Sequence, residues 1–269
     1  MIRANDIGIR YMLEGEGAPL VLIHGVGNQL EAWDGVAARL RDRFRLLRYD
    51  LRGHGESEKV PGPYHIDDFA EDLRALIESL DFGGCHVAGF SLGGLVAQAF
   101  AMTHPNQLRK LALISTVAGR TPQEKARVVE RLDMVASGIP GDYFRKSLER
   151  WFTDDFRRAN PDLIETLAMR NRANDPACYA AAYRVLALTD FAERLHEIAA
   201  ETLVMTGEHD IGSNPRMARL MAERIPRAVL QILPGLRHSI LVEAPDTVSQ
   251  ILRTFFSGEP GASGSKRGR

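Results

Sequence analysis

The chain predicts an α/β protein, a mostly parallel β-sheet covered by helices on both faces, with a block of helices inserted late in the sequence. Three observations carry this. Short apolar stretches of strand length alternate with helical stretches over most of the 269 residues. Between about residues 117 and 195 the alternation stops, and three helix starts of one kind appear: Thr121-Pro122, Asn160-Pro161 and Asp175-Pro176, each a capping residue before a proline at the first helical position. Gly89-Phe90-Ser91-Leu92-Gly93 sits where an apolar stretch ends and a helical one begins.

In chain order, strands are expected at residues 7–13, 20–23, 45–49, 85–88 and 111–115, and after the insertion at 202–205 and 229–233. A helix is expected over 67–80 and an amphipathic one around 248–256. In the insertion, Thr121 has Glu124 as a capping-box partner and Gly138 supplies a stop. The expected division is therefore a core of residues 1–117 and 196–257 and a helical cap of residues 118–195. Residues 258–269, rich in Gly and Ser with Lys266, Arg267 and Arg269, read as a flexible tail.

The pentapeptide around Ser91 has the form of a nucleophile elbow. A chain that turns so sharply leaves no room for side chains two residues before and after the serine, and the turn aims a helix N-terminus at the hydroxyl. A serine hydroxyl is a poor nucleophile at neutral pH and needs a base with a carboxylate to orient it. The strand at 202–205 runs into Thr206-Gly207-Glu208-His209-Asp210, which makes Asp210 the candidate acid. The strand at 229–233 runs into Pro234-Gly235-Leu236-Arg237-His238, which makes His238 the candidate base. An oxyanion needs two backbone N–H groups. Leu92, next after Ser91, offers one, and Val26, between the glycines of His24-Gly25-Val26-Gly27, offers the other.

Together the His24-Gly25 loop, the turn Asp50-Leu51-Arg52-Gly53-His54-Gly55-Glu56-Ser57, the Ser91 elbow, the Asp210 loop and His238 resemble the serine hydrolases of the α/β-hydrolase superfamily, in that family's order along nearly the whole chain. The resemblance implies the α/β-hydrolase fold, a mostly parallel sheet flanked by helices with a helical cap inserted after the sixth strand and covering the nucleophile. Serine at the elbow argues against haloalkane and epoxide chemistry, which needs a carboxylate nucleophile.

Each candidate has a plainer reading. Ser91 could be an ordinary helix N-cap. Glu208 and His209 compete with Asp210 and His238, though His209 beside the acid reads as a surface residue. Asp50 and Arg52 are expected to bond backbone in a glycine turn, with His54 structural and Trp33 a packing residue. Gly25-Val26-Gly27-Asn28-Gln29-Leu30, with Asp50 ending the next strand, approaches a dinucleotide fingerprint, but Leu30 stands where the third glycine belongs and that reading leaves Ser91, Asp210 and His238 unexplained.

A formal net charge of −1 with intermixed signs gives no footprint for nucleic acid or an anionic membrane. No apolar run is long enough to span a bilayer and no signal-like stretch opens the chain, so a cytoplasmic protein is expected. Cys85 and Cys178 suggest neither a disulfide framework nor a zinc site, and neither metal nor organic cofactor is expected. Oligomeric state is not legible.

Within the superfamily, residues 150–161 and 174–180 resemble 3-oxoadipate enol-lactonases and related carboxylesterases, while Ile211-Gly212-Ser213-Asn214-Pro215 departs from the Thr-Pro pattern expected after the acid. The expected partner is a small ester or lactone. Candidate pocket residues are His24, Trp151, Arg172 and Tyr179, with Phe144, Phe152, Met134 and Tyr183 as further cap residues and Arg150 and Arg184 as further candidates for a substrate carboxylate. Three activities remain open at this point: ester or lactone hydrolysis, carbon–carbon bond hydrolysis of ring-cleavage products, and ligand reception by a noncatalytic relative.

Overall fold

The structure, a computed structural model, describes residues 1–137 and 142–258. β1 (Ile2–Ala4) and β2 (Ile7–Ile9) form a small hairpin closed by Asn5 and Asp6, both at positive φ, 47° and 63°. That is the turn geometry whose twist matches antiparallel strands. The single strand expected at 7–13 is thus two: at Arg10 the chain leaves the hairpin, and β3 (Tyr11–Glu14) joins the main sheet. The break is fixed by hydrogen bonds, since Arg10 N donates to Ser57 Oγ at 2.9 Å and Arg10 O accepts from Asp50 N at 2.9 Å.

The main sheet continues with β4 (Ala18–Ile23), β5 (Phe44–Tyr49), β6 (Cys85–Phe90), β7 (Leu108–Ile114), β8 (Glu201–Gly207) and β9 (Ala228–Leu233). Its order is β3-β5-β4-β6-β7-β8-β9, parallel throughout except for β3. Successive side chains of a strand point to opposite faces, and two cores result. Val21 and Ile23 of β4 pack with α2 (Ile66–Ser79) and α3 (Leu92–Thr103) on one face; Leu20 and Leu22 pack with α1 (Asp34–Ala37) and the later C-terminal helix on the other. β6, buried along its whole length, is the central strand whose apolar run ends at Ser91.

Between β7 and β8 the chain forms α4 (Pro122–Ser137), α5 (Asp142–Trp151), α6 (Asp154–Ala159), α7 (Pro161–Arg172) and α8 (Pro176–Leu188). All three expected proline starts are helix starts. Thr121 and Glu124 cap α4 reciprocally, at 3.2 and 2.7 Å, and Asp175 caps α8 by accepting from Cys178 N at 2.9 Å. Asn160 departs from the pattern: its amide donates back to Phe156 O and leaves the start of α7 without a side-chain cap. The expected stop at Gly138 lies outside the described residues. α9 (Pro215–Arg224) follows β8, and α10 (Ile240–Glu243) and α11 (Pro245–Ser257) follow β9. Gly258, at φ 70°, ends α11 in the left-handed conformation; the rest of the expected tail, 259–269, lies outside the described residues. Among the described residues no helix is long and apolar enough to cross a membrane.

Candidate active site

Ser91 sits between β6 and α3 at φ 54°, ψ −114°, a conformation strained for any residue with a side chain. Its surroundings explain how the strain is held. Ser91 N donates to Ile114 O at 2.9 Å, and Ser91 O accepts from Thr116 Oγ1 at 2.8 Å. The flanking glycines are obligatory: a Cβ on Gly89 would lie 2.1 Å from Gly93 O, and one on Gly93 would lie 2.4 Å from Ile23 O.

At the C-terminal ends of β8 and β9 the structure brings Asp210 and His238 together, with His238 Nδ1 2.7 Å from Asp210 Oδ2. Asp210 is buried, and its other oxygen accepts the amides of Gly212 and Ser213, both at 2.9 Å. The loop Ile211–Pro215, which departed from the expected pattern, is therefore what holds the carboxylate. Thr206 Oγ1 completes it by donating to Ser213 O at 2.8 Å. The competitors lie outward: Glu208 and His209 are exposed. The Phe90 ring packs 5.1 Å from the His238 imidazole and the Trp151 ring 6.5 Å from it.

Ser91, Asp210, His238 and Val26 line one cavity of about 100 Å³, well above the roughly 10–15 Å³ one water needs by the same measure. Its opposite wall comes from the segment α4–α8, through Phe144, Trp151 and Tyr183 on its helices and Phe152 just past α5, among others. Among the described residues, neither the Val26 nor the Leu92 amide donates to another protein group.

The remaining candidates divide. Trp151 lines the cavity. His24 does not: it is fully buried behind the Val26 loop, its Nδ1 2.7 Å from Gly25 O and its Nε2 accepting from Leu51 N at 3.0 Å. Tyr179 is buried against Gly27 rather than in the cavity wall, and Arg172 is exposed, as is Arg184. Met134 too is exposed. Asp50 bonds backbone as expected, accepting from Leu30 N and Glu56 N, both at 2.8 Å. Arg52 reaches backbone as expected, at Asp68 O at 3.4 Å, but its main grip is on the Asp72 carboxylate through two nitrogens, each at 2.7 Å, tying the turn to α2. His54 is buried, its Nδ1 2.9 Å from Arg52 O.

Sequence reasoning missed Arg120 and Arg131 in the cavity wall, Arg120 on the segment entering α4 and Arg131 within it. It also missed how the His238 loop is fastened. Ser239 N donates to Trp151 O at 2.9 Å, Arg237 reaches Phe152 O at 2.9 Å, and Glu243 accepts from Thr153 N at 3.0 Å and Thr153 Oγ1 at 2.6 Å. Burial raises the pKa of that Glu243 carboxyl, against the pull of its Thr153 bonds.

The (E)-2-((N-methylformamido)methylene)succinate hydrolase of Acinetobacter baylyi is 28% identical over 260 residues, 96% of this chain and 97% of that protein. The 3-oxoadipate enol-lactonase 2 of the same organism is 26% identical over 264 residues, covering 94% and 96%. The crystal structure of the enol-lactonase from Burkholderia xenovorans superposes with a TM-score of 0.89 at 27% identity, over 95% of this chain and 99% of that one. The alpha/beta hydrolase fold family itself matches residues 18–245, from the first residue of β4 past the His238 loop, and the chain belongs to that family.

Proposed function

We propose that the protein is a serine hydrolase that opens a small carboxylic ester or lactone through an acyl-enzyme, with Ser91 as nucleophile, His238 as general base and Asp210 as its orienting acid. The observation that carries this reading is that the His238–Asp210 pair at 2.7 Å and Ser91 on its strained elbow line one cavity.

The chemistry follows from the bonds. Asp210 holds the proton of His238 on Nδ1, which leaves Nε2 with a lone pair. Ser91 Oγ forms a bond to the substrate carbonyl carbon as its proton passes to Nε2, and the carbonyl electrons move onto oxygen. The Val26 and Leu92 amides, unclaimed among the described residues, stabilise that oxyanion, helped by the N-terminal end of α3. When the carbon–oxygen bond to the leaving group breaks, His238 returns the proton to it, and a water repeats the sequence to free Ser91. In a lactone the leaving group stays tethered to the acyl chain. The helices within residues 118–195 act as a cap that closes the cavity over these steps.

The enol-lactonase relatives make 3-oxoadipate enol-lactone the first substrate to test. The experiment is kcat/KM for that lactone and for an uncharged short-chain ester, with Ser91→Ala protein as the blank. Serine-dependent turnover of either supports the reading, and preference between them assigns lactonase or esterase. Turnover that survives Ser91→Ala on both would overturn it.

A further inference from the structure

Among the described residues, three arginines, Arg120, Arg131 and Arg150, line the cavity, against one carboxylate, Asp210. Asp210 is already occupied by His238 and two amides. In a chain of net charge −1 this positive excess is local to the cap side of the cavity.

The three arginines are held differently. Arg120 is buried and turned toward the carbonyls at the end of α8, Leu186 at 2.8 Å and Thr189 at 3.1 Å, so its charge caps a helix. Arg150, on α5, donates through Nη2 to Ser147 Oγ at 2.5 Å and to Tyr143 Oη at 3.3 Å. Tyr143 Oη lies 2.8 Å from Tyr183 Oη on α8, and the Arg131 guanidinium on α4 lies beside Tyr183 in the same wall. Arg131, Tyr183, Tyr143 and Arg150 therefore form one continuous band across three helices, and all four face the cavity.

Two features of this band call for an acceptor. Guanidinium groups only donate, so Tyr143 Oη receives an N–H from Arg150, and the contact between the phenols uses one of their two hydrogens. One phenolic hydrogen is left, together with the unused guanidinium N–H groups, and no acceptor among the described residues takes it. The second feature is missing countercharge. Three other cap arginines pair with an acid three residues earlier, Arg145 with Asp142, Arg157 with Asp154 and Arg158 with Asp155. At the same spacing Arg150 has Ser147 and Arg131 has Val128. Among the described residues neither is ion-paired to a carboxylate. The repulsion is felt nearby: the Arg120 guanidinium is pushed below its usual range by burial, with Arg131 adding to the effect.

We propose that the Arg131–Tyr183–Tyr143–Arg150 band is a binding subsite for a carboxylate borne by the substrate, so that the enzyme selects acyl chains ending in an anion. A planar carboxylate matches the guanidinium fork and accepts the spare phenolic hydrogen, in a wall where water competes poorly. The proposal rests on the hydrolase reading only for the word substrate, because anion binding needs no turnover.

The test has two arms on the full chain. Calorimetric titration with glutarate, against neutral glutaramide and inorganic phosphate, measures the subsite alone. Glutarate is expected to bind and glutaramide to fail. Arg131→Gln and Arg150→Gln are each expected to weaken glutarate by roughly tenfold or more, as loss of a charge-assisted bond does, with Arg150→Lys between them and wild type. Arg184→Gln, exposed and off the cavity, should bind as wild type. The second arm is the ratio of kcat/KM for monophenyl glutarate to that for phenyl butyrate, which should fall by a similar factor in the two glutamine variants. Thermal melts confirm that each variant is folded. Glutarate binding that is absent, unaffected by both substitutions, or replaced by binding of phosphate alone would overturn the subsite. Arginine-dependent glutarate binding without turnover of either ester would keep the subsite and remove the hydrolase reading.

Discussion

His238 Nδ1 lies 2.7 Å from Asp210 Oδ2, while Asp210 Oδ1 takes the Gly212 and Ser213 amides. The carboxylate is thus fixed on three sides, and the imidazole can turn only with it. Asp210→Asn would keep the shape but offer the wrong hydrogen-bonding partner to Nδ1. The expected outcome is a loss of about 10⁴ in kcat with KM little changed, measured by steady-state hydrolysis of a short-chain ester. A loss of only a few-fold would mean that Asp210 does not set the tautomer.

Gly25 O and Val26 N–H belong to one peptide plane and point in opposite directions. By holding Gly25 O at 2.7 Å, His24 aims the Val26 amide from behind the cavity. His24→Ala should lower kcat by about tenfold or more, with KM nearly unchanged, and His24→Asn should restore part of it through the amide nitrogen. Equal changes in kcat and KM would assign His24 to packing alone.

The elbow glycines bear on stability as well as activity. Either Gly89→Ala or Gly93→Ala drives a methyl into backbone at 2.1 or 2.4 Å, where no flexible side chain can yield. Each should cost at least about 1–3 kcal/mol of unfolding free energy in urea titration. Variants as stable as wild type would contradict the described turn.

Burial holds His24 at a pKa of about 4 and His54 at about 3, against 6.5 for a free imidazole. In the unfolded chain both take a proton as pH falls through 6.5, whereas in the folded chain they stay neutral down to about 4. The unfolded state then binds more protons, so this stability is complete above pH 6.5 and is lost as pH falls toward 4. His24 alone accounts for roughly 3 kcal/mol over that window. Urea midpoints should fall between pH 7 and pH 5, and fall less in His54→Gln; an identical slope in both proteins would speak against the buried neutral pair.

What could be read in the sequence was what depends on local pattern. The strand stretches, the proline helix starts and the elbow are set by spacing and backbone geometry, and Asp210 and His238 by their places just past strands. Residues whose roles depend on direction were harder. His24 is next to the Val26 loop in sequence but points away from the cavity, and Arg172 and Tyr179 lie on cap helices whose inward faces are chosen by tertiary packing. For the same reason Arg120 and Arg131 escaped notice: only the packing of α4 against α8 turns them to the cavity. The grip of Arg52 on Asp72 joins segments 20 residues apart, a pairing that turn chemistry alone does not indicate.

The central claim is that Ser91 is the covalent nucleophile. Intact-protein and peptide mass spectrometry after treatment with a fluorophosphonate tests it most directly. One adduct per chain, mapped to Ser91 and lost in both Ser91→Ala and His238→Ala, is the predicted result; an unlabelled wild-type protein, or an adduct that persists in Ser91→Ala, would contradict the account.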